Sequence, residues 1–568
     1  MPEATFAAAK AYLDAPDLES DLRMELELVL KAAETGDAAA LEDLQDRFSE
    51  PLAFGTGGLR GIMAAGLRRM NKPNIRRTTL ALAEVTKLHA PGRVALVGFD
   101  TRLRSDVFAL EAARVLAAAG FKVYLGDRPL PTPFLCFAMR KLGAACGVIV
   151  TASHNPKEYN GYKAYNDRGG QVMAPWDADI EAAMARQPLV PPPPGPGADA
   201  GIVAIPQELE EAYLDLGLQL RQLPAVFLPA RVLYTPFHGT GTAFVPELYR
   251  RAGLPLQICA AQAIQDGTFP TAPRPNPEEL AAYQAPMEDA TRQGAEVILA
   301  NDPDADRLGL VALRDGAWEL MSGNDLAALT LDYLCTQKGL EGTVVSTVVT
   351  SDLLADVARH HGLEVMVTLT GFKNIGVCMD ILEAHGEAYA FSAEESFGMQ
   401  LSEQMRDKDG VLAALLVGEM LGHHKALGLS PFEALAALQR KVGVYLNRLV
   451  NLEDPRPGGA VRFAAAMTRI REAGLKVFGG EPVVSWEDFL TCERHEGTRT
   501  EAILDRPGHP HARPIDRSNV LKFRLKSGGF AAFRPSGTEP KLKVYLQSRT
   551  DAGQLDRMEA EARELLGL

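Results

Sequence analysis

Thr151-Ala-Ser153-His154-Asn155-Pro156, followed by KEYNGYKAYN, sets a serine hydroxyl beside an imidazole and an amide, with Lys163 close behind. A lone serine in such a loop ordinarily caps backbone groups. Beside His154, Asn155 and Lys163 it has neighbours able to handle protons or anions. A second string, Asp302-Pro-Asp304-Ala-Asp306-Arg307, spaces three carboxylates at alternate positions, which in an extended segment project to one side. Three acids this close repel one another unless a cation neutralises them, and hard oxygen donors favour magnesium, manganese or calcium. An EF-hand does not fit, because its glycine position holds Arg307 and its closing glutamate position holds Leu313. A solvated acidic turn is the plain alternative.

Three further strings carry polar chemistry. Arg534-Pro-Ser536-Gly537-Thr538, before Glu539-Pro-Lys541, offers a guanidinium, hydroxyls and small residues that let backbone N–H groups approach an anion; it also reads as a simple turn. Phe54-Gly-Thr56-Gly-Gly-Leu-Arg60-Gly61 resembles a phosphate loop but matches neither the dinucleotide nor the Walker A pattern. Ala393-Glu394-Glu395-Ser396-Phe-Gly398, with Arg406-Asp-Lys408-Asp after it, has paired acids suited to sugar hydroxyls and a lysine suited to proton transfer; alone it reads as an exposed charged loop. No CxxC, HExxH or GxSxG competes with these. None of the 11 histidines falls in metal spacing, and His360-His361 and His423-His424 read as surface pairs.

The elements that must position these residues follow from periodicity. Residues up to about 50 read as helices, since LESDLRMELELVLKAA places apolar residues at helical spacing. The chain then alternates helical segments such as FALEAARVLAAAG and DLLADVARHHG with Val/Ile/Leu-rich runs that end in polar loops. Those runs are RVALVGFD, GVIVTASHNP, RVLYTPFHGTG, EVILANDPDADR, TVVSTVVTSD and EVMVTLTGFK. This is the form of α/β units with buried, largely parallel strands. Ser153, Asp302 and Thr370 each follow such a run, where open α/β sheets place their ligands. PLVPPPPGPGADAG reads as a surface loop. NVLKFRLKSGGFAAFRPSGTEPKLKVYLQS reads as antiparallel strands, with Ser527-Gly528-Gly529 turning the first hairpin. The expectation is three similar α/β domains with mixed, largely parallel sheets plus a smaller C-terminal α+β domain around one central cleft. The boundaries are 1–225, 226–321, 322–445 and 446–568.

The 568 residues are too many for one core, and the 46% hydrophobic content allows each domain to pack. A net charge of −14 argues against nucleic acid or an anionic membrane as partner. The N-terminus lacks the form of a secretory signal, and no apolar run approaches the ~20 residues of a membrane helix. The six cysteines are scattered, as free and mostly buried thiols of a reducing cytoplasm would be. Oligomeric state is not readable.

Together, TASHNP, DPDADR, EES and RPSGTEP stand in the order found in the α-D-phosphohexomutase superfamily, which the chain resembles over nearly its whole length. FGTGGLRG and the TLTGFK loop point to the branch of bacterial phosphoglucomutases similar to animal phosphopentomutase and glucose-1,6-bisphosphate synthase. The resemblance implies an intramolecular phosphotransferase that interconverts glucose 1-phosphate and glucose 6-phosphate through a phosphoserine and glucose 1,6-bisphosphate. It implies that Ser153 carries the phosphoryl group and that Asp302, Asp304 and Asp306, with a Ser153 oxygen, hold one Mg²⁺. Arg307, His154 and Thr56 would bind the substrate, with Arg60 and Lys163 near the reacting group and Lys163 and Lys408 as candidate acid/base residues. Thr370, Gly371 and Lys373 would meet the sugar, and Glu394 and Ser396 its hydroxyls. Arg534, Ser536, Gly537 and Thr538 would grip the distal phosphate. Gly398 or Met399 stands where some relatives have a histidine, which favours Lys408 or Lys163 as base; Asn374 stands where tryptophan often follows GFK. Phosphomannomutase, phosphopentomutase, bisphosphate synthase and a non-catalytic sugar-phosphate binder remain as alternatives.

Overall fold

The computed structural model describes residues 2–567, apart from Thr56, Pro455, Pro457 and residues 536–540. The chain divides into two compact units. The first comprises Met1–Met321 with Gly398–Lys425, and the second Ser322–Phe397 with Ala426–Leu568.

In the first unit, Pro2–Leu13, Ser20–Glu34 and Ala38–Phe48 form the expected helices. Leu22, Leu26, Leu30 and Ala33 form a buried stripe at helical spacing. Asp37 caps the third helix, accepting from the N–H groups of Ala39 and Ala40. A six-stranded sheet follows in the order Gly58–Ile62, Tyr159–Tyr165, Cys146–Val150, Val94–Phe99, Lys122–Leu125, Ile202–Ala204. Its first two pairings are antiparallel and the rest parallel. Cys146–Val150 is buried along its whole length, which is why it reads as a continuous apolar run rather than an alternation.

The glycines of FGTGGLRG serve close packing as much as any ligand. A Cβ on Gly58 would lie 1.9 Å from the carbonyl oxygen of Tyr162 on the neighbouring strand, and Gly58–Ile62 is strand rather than loop. A second sheet orders Ala317–Met321, Leu308–Arg314, Val297–Asn301, Val232–Thr235 and Gln257–Ile258, with the last two pairings parallel. The helix Gly410–Ala426 is buried on nearly every side, with the all-round apolar sequence that requires.

In the second unit, Glu364–Thr368, Thr343–Thr347 and Tyr389–Ala393 pair in parallel, with Thr343–Thr347 central. The C-terminal sheet is antiparallel and eight-stranded, built around Leu446–Glu453, Lys541–Ser548, Phe530–Pro535, Leu521–Leu525 and Glu481–Asp488. Helices Gly459–Ala473 and Ala552–Leu566 share its apolar core. Gly528, at φ 90°, lies in the expected turn between Leu521–Leu525 and Phe530–Pro535.

The six cysteines carry free thiols, five of them buried. The histidine pairs are corrected in part. His424 is buried, and His361 Nε2 is hydrogen-bonded to Asp332 Oδ1 at 2.8 Å, so neither is an idle surface group. Among the described residues, no helix is long and apolar enough to cross a membrane.

Candidate active site and metal centre

Ser153 follows the strand Cys146–Val150 in a turn where its backbone takes φ 50°, a left-handed conformation uncommon for a residue with a side chain. The turn is held from several sides. Thr151 Oγ1 accepts from the Ser153 N–H at 2.8 Å and donates to Asp100 at 2.7 Å. The Arg102 guanidinium donates to the carbonyls of Ser153 at 2.5 Å, Pro156 at 2.9 Å and Asn155. Strained backbone persists only where surrounding contacts over-determine it, and here they aim one hydroxyl. Ser153 Oγ donates to Asp302 Oδ2 at 2.6 Å and lies 3.2 Å from His154 Nδ1.

The three aspartates meet by a route other than the extended segment expected from their spacing. Residues 302–306 form a turn, with Ala305 at φ 57° and its N–H donating to the Asp302 carbonyl at 2.9 Å. All three are buried, and one oxygen from each lies within 4.8 Å of the others. Lys163 donates to Asp304 at 2.8 Å and Asp306 at 3.1 Å, and Lys408 lies 3.1 Å from Asp306. Thr132 also donates to Asp304, at 3.1 Å. Burial first, then Asp306 and Asp304, push the Asp302 carboxyl well above the usual carboxylate range. Burial opposes the charge of Asp306 as well, but Lys408, Lys163 and Arg307 outweigh it and hold Asp306 below that range.

Among the described residues, Asp304 Oδ1 and Asp306 Oδ1 are buried with no hydrogen-bond partner. Buried acceptors left so are costly. Hard carboxylate oxygens converging with a serine hydroxyl fit a small divalent cation such as Mg²⁺.

The remaining candidates of this unit gather at the same place. Arg60 donates to Asn155 Oδ1 at 3.1 Å. Arg307 donates through its backbone N–H to Asp302 at 3.0 Å and pairs with Glu278 at 2.5 Å. Burial first, then Arg307 and Arg60, keep the His154 imidazole from protonating until well below the usual range. Burial opposes the charge on Lys163 and Lys408, but Asp304 and Asp306 outweigh it for Lys163, and Asp306 and Asp407 for Lys408. Both ammonium groups are held charged. The Arg406-Asp-Lys408-Asp string is buried rather than an exposed charged loop. Gly398 allows it, for a Cβ there would lie 2.4 Å from Lys408 Cδ.

In the second unit, Gly371 opens the helix Phe372–His385, and its N–H donates to Glu394 Oε1 at 2.7 Å. Asn374 ties the same loop by donating to the Thr370 carbonyl at 2.8 Å. Lys373 lies in that helix's first turn, and Ser396 is half-buried after the strand Tyr389–Ala393. Arg534 lies one residue before the end of the strand Phe530–Pro535 and donates to Tyr545 Oη at 3.4 Å. Loss of water around Glu395, then its neighbour Glu394, raises the Glu395 carboxyl to about 7. Thr56, Ser536, Gly537 and Thr538 lie outside the described residues.

Asp100, Arg102, Thr132 and Glu278 were missed from sequence. Asp100 closes the run RVALVGFD and Arg102 stands two residues beyond it, so the strand-end reasoning that found Ser153 and Asp302 had the signal for them too.

Four family models match in series. Phosphoglucomutase/phosphomannomutase alpha/beta/alpha domains I, II and III match residues 51–189, 213–316 and 322–441, and the C-terminal domain matches 494–565. A probable phosphomannomutase of Haemophilus influenzae is 34% identical over 504 residues, covering 87% of this chain and 96% of that protein. A phosphoglucomutase of Staphylococcus haemolyticus is 32% identical over 518 residues, covering 89% and 91%. Among solved structures, a putative phosphomannomutase of Thermus thermophilus shares the fold at TM-score 0.67 and 23% identity, covering 91% of this chain and 100% of that one. The chain belongs to the phosphoglucomutase/phosphomannomutase family of the α-D-phosphohexomutase superfamily, and is a phosphohexomutase, an isomerase.

Proposed function

We propose that the chain interconverts glucose 1-phosphate and glucose 6-phosphate through a phosphoserine at Ser153 and a glucose 1,6-bisphosphate intermediate. The observation that carries this reading is the hydroxyl of Ser153, held at 2.6 Å from one of three buried aspartates that two lysines also reach.

Phosphoserine 153 gives its phosphoryl group to the free hydroxyl of a sugar monophosphate. The bond from phosphorus to Ser153 Oγ breaks as the bond to the sugar oxygen forms. The proton leaving the sugar hydroxyl is taken up by a neighbouring base: His154 is neutral and at hand, whereas Lys163 or Lys408 would accept it only after giving up a proton of its own. The bisphosphate then turns round, and its other phosphoryl group returns to Ser153. Such transfers depend on positioning and on neutralising charge. Arg102 and Thr151 fix the serine, while Lys163, Lys408, Arg60 and Arg307 gather positive charge around it. Asp302, Asp304 and Asp306, with Ser153, would hold Mg²⁺, which when bound neutralises phosphoryl oxygens. Glu394 and Ser396, with Thr370, Gly371 and Lys373, would bind the sugar. Arg534 and residues 536–538 would hold the phosphate that is not reacting. Glucose 1,6-bisphosphate would also act as activator by loading Ser153.

A coupled assay on glucose 1-phosphate, mannose 1-phosphate and ribose 1-phosphate, with and without bisphosphate, tests the assignment. The expected order of kcat/KM is glucose, then mannose, then ribose. Glucose offers adjacent equatorial hydroxyls at positions 3 and 4 to a carboxylate and a hydroxyl; mannose shares them and a pentose does not. A preference for ribose 1-phosphate would replace the reading with phosphopentomutase. Phosphomannomutase is the second reading, favoured by the name of the Haemophilus relative; mannose 1-phosphate outrunning glucose 1-phosphate would establish it.

A further inference from the structure

A group of metal-binding side chains in the second unit takes no part in the site described above. His385 ends the helix Phe372–His385, Glu387 lies in the turn before the strand Tyr389–Ala393, and His511 lies in the loop that follows Arg506. One ligand atom from each lies within 4.8 Å of the others. The two rings stack with centroids 4.2 Å apart and planes 13° from parallel, and His509 stands 5.6 Å from His511.

The loop is fixed rather than free to wander. Leu504 and Pro514 bridge its base, the Asp505 carbonyl accepts from the Val367 N–H at 2.8 Å, and Arg506 pairs with Glu387. That ion pair occupies Glu387 Oε2, while Glu387 Oε1 is buried and has no hydrogen-bond partner among the described residues. A buried acceptor in that state, beside two imidazoles, is where a cation would satisfy what the protein does not.

We propose that His385, Glu387 and His511 form a second metal site, for a transition-metal dication of the Zn²⁺ class, which ties the 505–513 loop to the end of the helix Phe372–His385. Two imidazole nitrogens and one carboxylate make a borderline donor set, which suits Zn²⁺, Co²⁺ or Ni²⁺ and not Mg²⁺. It therefore differs in kind from the all-oxygen set of Asp302, Asp304 and Asp306. Tetrahedral Zn²⁺ with ~2.0–2.1 Å bonds needs its ligand atoms about 3.3 Å apart. His385 and His511 are both exposed, so rotation of their side chains brings the atoms to that spacing without moving the core. Water fills the fourth position, and His509 is the nearest further imidazole. Sequence spacing could not show this site, because its ligands come from two segments far apart in the chain.

Co²⁺ is the probe, added to the full-length protein in excess Mg²⁺ so that the aspartate site is already filled. The parent protein is expected to bind one Co²⁺ per chain by calorimetry, with visible absorption bands of a four-coordinate ion. Zn²⁺ should displace it and raise the thermal midpoint. His511→Ala and Glu387→Gln should each weaken Co²⁺ binding at least about tenfold, and the double variant His385→Ala/His511→Ala should abolish the bands. Asp304→Asn should leave them unchanged. Absence of the bands in the parent would overturn the proposal, as would bands and stoichiometry that survive in the double variant.

Discussion

Lys408 reaches Asp306 across a position that has no side chain. A Cβ on Gly398 would lie 2.4 Å from Lys408 Cδ, so Gly398→Ala should push that lysine off its path. The expected result is a fall in kcat of at least about tenfold with Mg²⁺ affinity retained, read by steady-state kinetics and calorimetry. An unchanged kcat would mean that Lys408 does nothing from this position. Asp304 is the converse case. Its Oδ2 is engaged by Lys163 and Thr132 while Oδ1 is buried without a hydrogen-bond partner among the described residues. Asp304→Asn replaces one anionic ligand with a neutral one and should weaken Mg²⁺ binding about tenfold or more in a calorimetric titration; equal affinity would place the ion elsewhere. Ser153 and the aspartates were legible in the sequence because unusual residue types stand at close spacing. Arg102 stands at a strand end but was passed over, because it acts through backbone carbonyls rather than beside another unusual residue, and Thr132 arrives at Asp304 from a helix start far away in the chain. The turn at Ala305 was also hidden, since alternate aspartates suit an extended strand and a tight turn equally well.

At the scale of one element, the helix Gly410–Ala426 begins on a buried carboxyl. Asp409 accepts from the N–H groups of Val411 and Leu412 and from Tyr213 Oη, yet burial dominates and raises it to about 7. The folded chain thus keeps a proton that the unfolded chain releases near the ordinary aspartate value. This contribution to stability is complete below about pH 4 and is lost as pH rises through about 7. Asp409→Asn should remove that slope, so its thermal midpoint should change less than the parent's between about pH 5 and 8. Parallel curves would contradict the assignment. The strands were legible for a related reason. Runs such as Cys146–Val150 and Val297–Asn301 are buried on both faces and so carry nearly unbroken apolar sequence. Gly58–Ile62 was not, because glycines chosen for close strand contact imitate a phosphate loop. The histidine at 424 was misread because a polar pair at a helix end looks like surface until the packing around it is known.

For the whole molecule, the proposed function gives Arg534, in the second unit, the phosphate that is not reacting. Arg534→Ala should raise KM strongly and cost about 2–4 kcal/mol in kcat/KM, as for other truncated charge-assisted contacts. The same variant should still accept a phosphoryl group from glucose 1,6-bisphosphate, because acceptance rests on the residues around Ser153. Binding as tight as the parent's would reduce the Arg534 strand end to a simple turn. Excess chelator should abolish turnover and added Mg²⁺ restore it; full activity in chelator would remove the aspartates from the metal role. Mixed α/β sheets could be inferred from the alternation of strand and helix, whereas strand order could not, nor could sugar preference, since a single hydroxyl decides it. The central claim is that Ser153 carries the phosphoryl group. Intact mass and phosphopeptide mapping of purified protein, before and after incubation with glucose 1,6-bisphosphate, test it most directly. The account predicts one phosphoryl group per chain, located on Ser153, and a folded Ser153→Ala variant with essentially no mutase activity. Phosphate on another residue, or full activity in the Ser153→Ala variant, would contradict it.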